Sequence, residues 1–223
     1  MQTALQFGPV LAHLDLLQRG LEKTIGLAAL SILFGAAFGI LGAVGRSFGP
    51  RFLSWPIGAY VELIRNTPLL IQLYFVFFSL PLLGFKLSSD AAAVIALSIH
   101  LGAYATEILR AGIEAVPEGQ IEAAKSLGLS RYRIIRHIVL VPAARAVYPS
   151  LSAQFILQIM GTSIVGAIAA EELTAVANNL VMQTFRSFEV YIVIAVVYFV
   201  LVQAASLLFA GIGKLMFRWK ASP

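Results

Sequence analysis

Residues 107–146, EILRAGIEAVPEGQIEAAKSLGLSRYRIIRHIVLVPAARA, are the stretch on which the fold turns. Uncharged apolar runs lie on either side of it, yet its own pattern is neither membrane-spanning nor disordered. Pro117 followed by Glu118 fits a helix start, because proline suits the first turn and an acid faces the positive end of the dipole. Ile121, Ala124 and Leu127 recur at helical spacing. Gly128 stops this helix as a residue free to take the left-handed conformation. Ser130 is placed to cap a second helix, which carries Arg131, Arg133 and Arg136 beside Ile134, Ile135 and Ile138. Pro142 is expected to bend the chain back toward the next apolar run. The stretch therefore predicts two short helices around a glycine elbow. A basic amphipathic helix resting on anionic lipid is the plainer reading of the same residues.

The flanking runs define the class. Of 223 residues, 59% are hydrophobic and 12% charged, against about 25% charged in a soluble domain. A chain with so little polar surface is an integral membrane protein. Uncharged runs cover residues 24–45, 66–85, 91–106, 146–170 and 190–213, and about 20 apolar residues cross the hydrocarbon core as a helix. The predicted fold is all-α in a single domain over residues 1–223. Its five transmembrane helices lie at about 22–46, 58–84, 90–112, 144–169 and 189–214, with the elbow loop at about 113–142. No cleavable leader is evident, since His13, Asp15 and Arg19 interrupt the first 20 or so residues.

Lys and Arg set the orientation. Twelve of the 16 fall on the side of the elbow: Arg46, Arg51, Arg65, Arg110, Lys125, Arg131, Arg133, Arg136, Arg145, Lys214, Arg218 and Lys220. Arg19, Lys23, Lys86 and Arg186 fall on the other. The N-terminus is then outside and the C-terminus cytoplasmic, as an odd number of spans requires. Ser31, Gly35, Gly39 and Ala43 form a small-residue stripe at four-residue steps, which lets a second helix approach closely. Five spans are too few to enclose a solute pathway alone, so a second copy or a partner is expected.

The elbow carries a resemblance. Glu122-Ala123-Ala124, Gly128 four residues on, then Ile138, Leu140 and Pro142, is similar to the EAA loop of ABC-importer permeases. Further stretches resemble the polar amino-acid branch, the membrane subunits of histidine, arginine and glutamine importers. These are YVELIRNTPLLIQL (60–73), GAYATEILR (102–110), VPEGQ (116–120), and Thr162-Ser163 through Glu172-Leu173. The likeness covers roughly residues 20–213. Where members of that family often carry Lys-Asp before the Thr-Ser, this chain has Met160-Gly161, so the resemblance does not fix which amino acid is carried.

The resemblance implies the transmembrane domain of a type I importer in the bacterial inner membrane. The permease would be a dimer, of two copies or two related chains, around a central pathway. A cytoplasmic ABC ATPase dimer would bind ATP and Mg, leaving this chain without a cofactor. A periplasmic or lipid-anchored binding protein would deliver the amino acid. Glu122, Ala123, Ala124, Gly128, Ser130 and Arg131 are then the ATPase-coupling residues.

Polar groups within spans are candidates for the pathway: Asn66, Gln72, His100, Gln154, Gln158, Thr162 and Ser163. A packing role for His100 stands beside that one. Glu62 and Arg65, three apart on one helix face, are candidates for an ion pair or gate. Glu171 and Glu172 either receive the binding protein or a cationic solute, or simply begin a solvated helix. Gly211-Ile212-Gly213-Lys214 is followed by Leu215, so no phosphate loop ends in Lys-Ser or Lys-Thr. No HExxH or G-x-S-x-G pattern occurs, and no cysteine is present, so neither a catalytic residue nor a metal ligand is assigned. A membrane enzyme using Glu62, His100 and Glu107, or a structural scaffold, are the alternatives to a transporter.

Overall fold

The computed structural model describes residues 5–217, so Arg218 and Lys220 lie outside the described residues. Helices account for nearly all of it: α1 (Gly8–Leu11), α2 (Leu14–Phe48), α3 (Arg51–Arg65), α4 (Leu69–Leu82), α5 (Ser89–Glu114), α6 (Glu118–Ser126), α7 (Arg131–Arg133), α8 (Leu140–Gly161), α9 (Leu173–Thr184) and α10 (Ser187–Met216). Ile134–Val139 is a π-turn joining α7 to α8, and Thr162–Ile168 is a 3-10 continuation of α8. Four helices are long and apolar enough to cross a membrane, and the bent pair α3–α4, counted as one span, brings the number to the expected five.

The central pair is α2 on α5, and the small-residue stripe is its seam. Ser31, Gly35, Gly39 and Ala43 are buried, and so are Leu101, Ala105 and Thr106 opposite. A Cβ added at Gly35 would land 2.7 Å from Leu101 Cβ, and one at Gly102 would land 2.8 Å from Phe38 Cβ. The glycines therefore set how closely the two backbones approach. Thr106 Oγ1 donates within its own helix to Gly102 O at 2.7 Å, which satisfies its hydroxyl in the seam.

Ion pairs bracket this seam. Lys23 meets Asp90 at 2.6 Å at one end, and Arg46 meets Glu107 at 3.0 Å at the other. Between them lie about 35 Å of α2 and about 26 Å of α5 at 1.5 Å per residue, close to the ~30 Å of a hydrocarbon core. The lysine and arginine groups predicted on opposite sides of the membrane thus sit at opposite ends of the same helix pair.

Two expectations are corrected. The second span, predicted as one helix over 58–84, is α3 and α4 bent by 110° at Asn66–Pro68. Pro68 disfavours helical backbone at the residue before it, and it becomes the extended N-cap of α4. The bend predicted at Pro142 is absent. The chain runs on from the elbow through α8 to Ile168 as one helical rod of 38 residues. Pro142 lacks an N–H, and its ring would crowd the carbonyl of Ile138 in a regular turn. The preceding π-turn, in which Leu140 N–H donates to Ile135 O, takes up that misfit within the helix.

Helix α9, which the hydropathy pattern leaves unassigned, packs on the early turns of α2. Leu173, Ala177 and Leu180 join Val10, Leu17, Val190 and Ile194 in one cluster. Gly20 makes room for it, since a Cβ there would come 3.0 Å from Leu173 Cα.

Candidate functional site

The elbow is a small folded unit. Helix α6 begins after Pro117 and ends in a Schellman turn: Leu129 N–H donates to Ala124 O at 3.1 Å and Gly128 N–H to Lys125 O at 2.9 Å. Gly128 takes φ +72°, the left-handed conformation expected of it. Val116, Ala124, Ile134, Val139 and Ala143 close into a private core, with Phe48, Ile113 and Ile138 packed against it. The elbow is thereby fixed to the ends of α2, α5 and α8. Most of its apolar side chains face its own interior, and the exposed Leu127 and Tyr132 fall short of the continuous apolar face that a helix lying on lipid needs.

The predicted coupling residues divide accordingly. Glu122, Ala123, Gly128 and Arg131 are exposed on the outer surface. Ala124 is not available for docking: it is 4% exposed and packs inward. Ser130 occupies the N-cap position of α7 with extended backbone, but its side chain makes no capping bond. Sequence reasoning missed Leu127 and Tyr132, which project outward as the exposed apolar groups of this surface. Arg136 Nη1 donates to Tyr132 Oη at 2.8 Å.

Most of the predicted pathway residues make hydrogen bonds within the chain. Gln72 is buried and staples the α3–α4 bend. Its Nε2 donates to Ile64 O and to Thr67 O, both at 2.8 Å, and its Oε1 lies 3.1 Å from His100 Nδ1. Because both amide hydrogens go to carbonyls, Oε1 is an acceptor and His100 carries its proton on Nδ1. The His100 ring stacks on Tyr104 with centroids 4.9 Å apart. Gln158 donates across to Leu97 O at 2.9 Å and is buried. Thr162 is buried and bonds Ile159 O at 2.8 Å. Ser163 bonds Met160 O at 2.8 Å beside a cavity of about 380 Å³ lined by Met160, Tyr198 and Phe199. Gln154 is half-buried, and Asn66 is an exposed cap on α3 whose Nδ2 donates to Glu62 O at 2.8 Å.

Glu62 and Arg65 do not meet. Glu62 accepts from Asn66 Nδ2 at 3.2 Å, and the Arg65 guanidinium lies 5.6 Å over the Tyr104 ring. The ion cluster that does form was not paired in the sequence. Glu107 accepts from Arg46 Nη1 at 3.0 Å and, with both oxygens, from Arg110, which also pairs with Glu114. The signal was Glu107, Arg110 and Glu114 at three- and four-residue spacing. Glu62, His100 and Glu107 are each bonded to a different partner, so the acid-base trio of an enzyme is not assembled.

Glu172 is neither a solvated acid nor a docking charge. It is 0% exposed and caps α9, accepting from Thr174 N–H at 2.8 Å, Ala175 N–H at 2.9 Å and Tyr198 O–H at 2.9 Å. The 3-10 segment leads into this cap through Ala169, whose φ is 59°. A left-handed alanine costs about 1 kcal/mol or more. Its own N–H donates to Gly166 O at 3.0 Å.

Residues 31–218 match the family model described as "Binding-protein-dependent transport system inner membrane component". The chain is 32% identical over 205 residues to the glutamine transport system permease protein GlnP of Escherichia coli, covering 91% of this chain and 94% of that one. It is 36% identical over 187 residues to the L-cystine transport system permease protein TcyB of Bacillus subtilis, covering 83% and 80%. A crystal structure of an amino acid ABC transporter with histidines superposes with a TM-score of 0.88 at 33% identity, over 95% of this chain and 99% of that chain. The MetNI methionine ABC transporter, 20% identical, shares the fold with a TM-score of 0.74 over 92% and 98%.

Proposed function

The chain belongs to the family of binding-protein-dependent transport system inner membrane components, and from that premise we propose that it is the permease subunit of an ATP-driven importer for a polar amino acid. Its fold is that of a type I importer transmembrane domain. The elbow carries the reading. It is a knob with its own core, and Glu122, Ala123, Leu127, Arg131 and Tyr132 stand exposed on its outer surface. A part that transmits motion to a second protein has to be stiff inside and unfilled outside.

In this proposal the elbow faces the cytoplasm, in line with the 12 Lys and Arg residues on its side. The N-terminus is then external and the C-terminus internal. A pair of ATPase subunits binds ATP and Mg and receives the elbow. A second permease, a copy or a related chain, completes the pathway, and a binding protein supplies the solute at the outer mouth. The cargo is a polar amino acid. The named relatives are permeases of glutamine and L-cystine transport systems, and the superposed amino acid transporter was solved with histidines.

The test is ATP hydrolysis by the full complex in lipid nanodiscs across a panel of polar amino acids with the binding protein present. Stimulation by one class of polar amino acid, lost in Gly128→Asp while the complex stays assembled, is the expected result. Stimulation that survives Gly128→Asp refutes the elbow as the coupling device. Stimulation by no amino acid of the panel refutes the cargo class.

A further inference from the structure

A groove of about 570 Å³ runs between α8 and α10 at the elbow end of the bundle. Its lining is mainly apolar, interrupted by Ser152 and Ser206, and it carries Arg145 and Lys214. Both cations are exposed, and among the described residues neither has an acidic partner. The groove reaches from Arg145 to Ile156, about 17 Å along α8 at 1.5 Å per residue. One leaflet of a bilayer offers about 15 Å of hydrocarbon. Its walls are fixed: Tyr148 O–H donates to Phe209 O at 2.7 Å, its ring meets Phe217 edge-on at 5.3 Å, and a Cβ at Gly213 would come 2.7 Å from that ring.

We propose that this groove is a binding site for an anionic phospholipid, with one acyl chain along the apolar floor and the phosphate on Arg145 and Lys214. Charge and length point to this occupant: two cations without an acidic partner among the described residues lie at one end of a mainly apolar groove about as long as one leaflet is thick. A lipid phosphate neutralises the pair where they stand, and basic groups at the inner membrane surface contribute about tenfold or less in affinity each. The site does not depend on the identity of the cargo.

The test is retention of phosphatidylglycerol against phosphatidylcholine by the purified full chain, read as bound lipid by native mass spectrometry. The expected result is preferential retention of phosphatidylglycerol, reduced about thirtyfold in Arg145→Gln/Lys214→Gln and preserved in Arg145→Lys. Ala210→Phe, which fills the groove and leaves the cations in place, should lose the same lipid. Equal retention of the two lipids by the parent chain overturns the proposal, as does an unchanged preference in the double variant. A cysteine at position 210 that cross-links two copies in this cysteine-free chain overturns it in favour of a subunit interface.

Discussion

Replacing Gln72 by leucine should loosen the sharpest bend in the bundle. The amide spends both of its hydrogens on carbonyls, Ile64 O and Thr67 O at 2.8 Å, on the two sides of the 110° turn. Leucine is of similar size but donates nothing. Each bond is worth about 1 kcal/mol net, and a carbonyl left bare away from water costs about 1–3 kcal/mol. Ile64 O keeps a second donor in Thr67 N–H at 3.3 Å, so the loss falls mainly on Thr67 O, and the sum is about 2–4 kcal/mol. For a chain of this length that corresponds to a fall in melting temperature of about 5–15 °C. The melt is followed on detergent-solubilised protein, and the bend is read directly by maleimide labelling of Thr67→Cys, which is clean because the chain has no cysteine. Gln72→Glu should be worse than leucine, since a carboxylate repels both carbonyls. Combining Gln72→Leu with His100→Phe should cost less than the two separately, by about 0.5–1 kcal/mol, because they share one bond. A leucine variant that melts within 2 °C of the parent, with unchanged labelling at position 67, would refute the staple.

Three further outcomes are expected. Gly128→Ala meets open space, since nothing lies within 4 Å of its added Cβ; its cost is the left-handed backbone alone, about 1–2 kcal/mol, and hydrogen exchange at Leu129 N–H should quicken about 5–30-fold, with Gly128→Asn intermediate. Gly39→Leu should prevent the α2–α5 seam from closing against Ala105, costing about 3 kcal/mol or more, which would show as loss of folded protein in size-exclusion chromatography while Gly26→Leu, with nothing nearby, is tolerated. Glu172→Gln turns an amide N–H toward backbone donors at 2.8 and 2.9 Å and should lower stability by about 2 kcal/mol, with Tyr198→Phe costing about half as much in the same melt.

Much of this architecture is legible in the residues because the membrane leaves few options. Uncharged runs become helices, and the repeat of Ser31, Gly35, Gly39 and Ala43 marks the seam whoever the neighbour is. Gly128 reads correctly because one backbone conformation is needed there and one residue supplies it without strain. What fails is whatever depends on a neighbour's position. Gln158 stands as a pathway candidate on polarity alone, yet it donates to Leu97 O, a carbonyl that only the folded bundle brings near. Ala124 looks like a docking residue until Ile134 and Val139 arrive from the other side of the elbow. Pro68 and Pro142 are the same residue with opposite outcomes. The first ends a helix at a bend. The second rides within one because a π-turn precedes it.

The rod from Arg131 to Ile168 has a mechanical consequence. At about 1.5 Å per residue, its 38 residues make a lever about 57 Å long, with the elbow at one end and the Thr162–Ile168 segment at the other. A tilt of 5° about its middle swings each end by about 2.5 Å in opposite directions, near half the width of a helix backbone. A stroke delivered at the elbow therefore arrives at the far mouth reversed in sense, to the extent that the π-turn and Pro149 within the lever hold their shape.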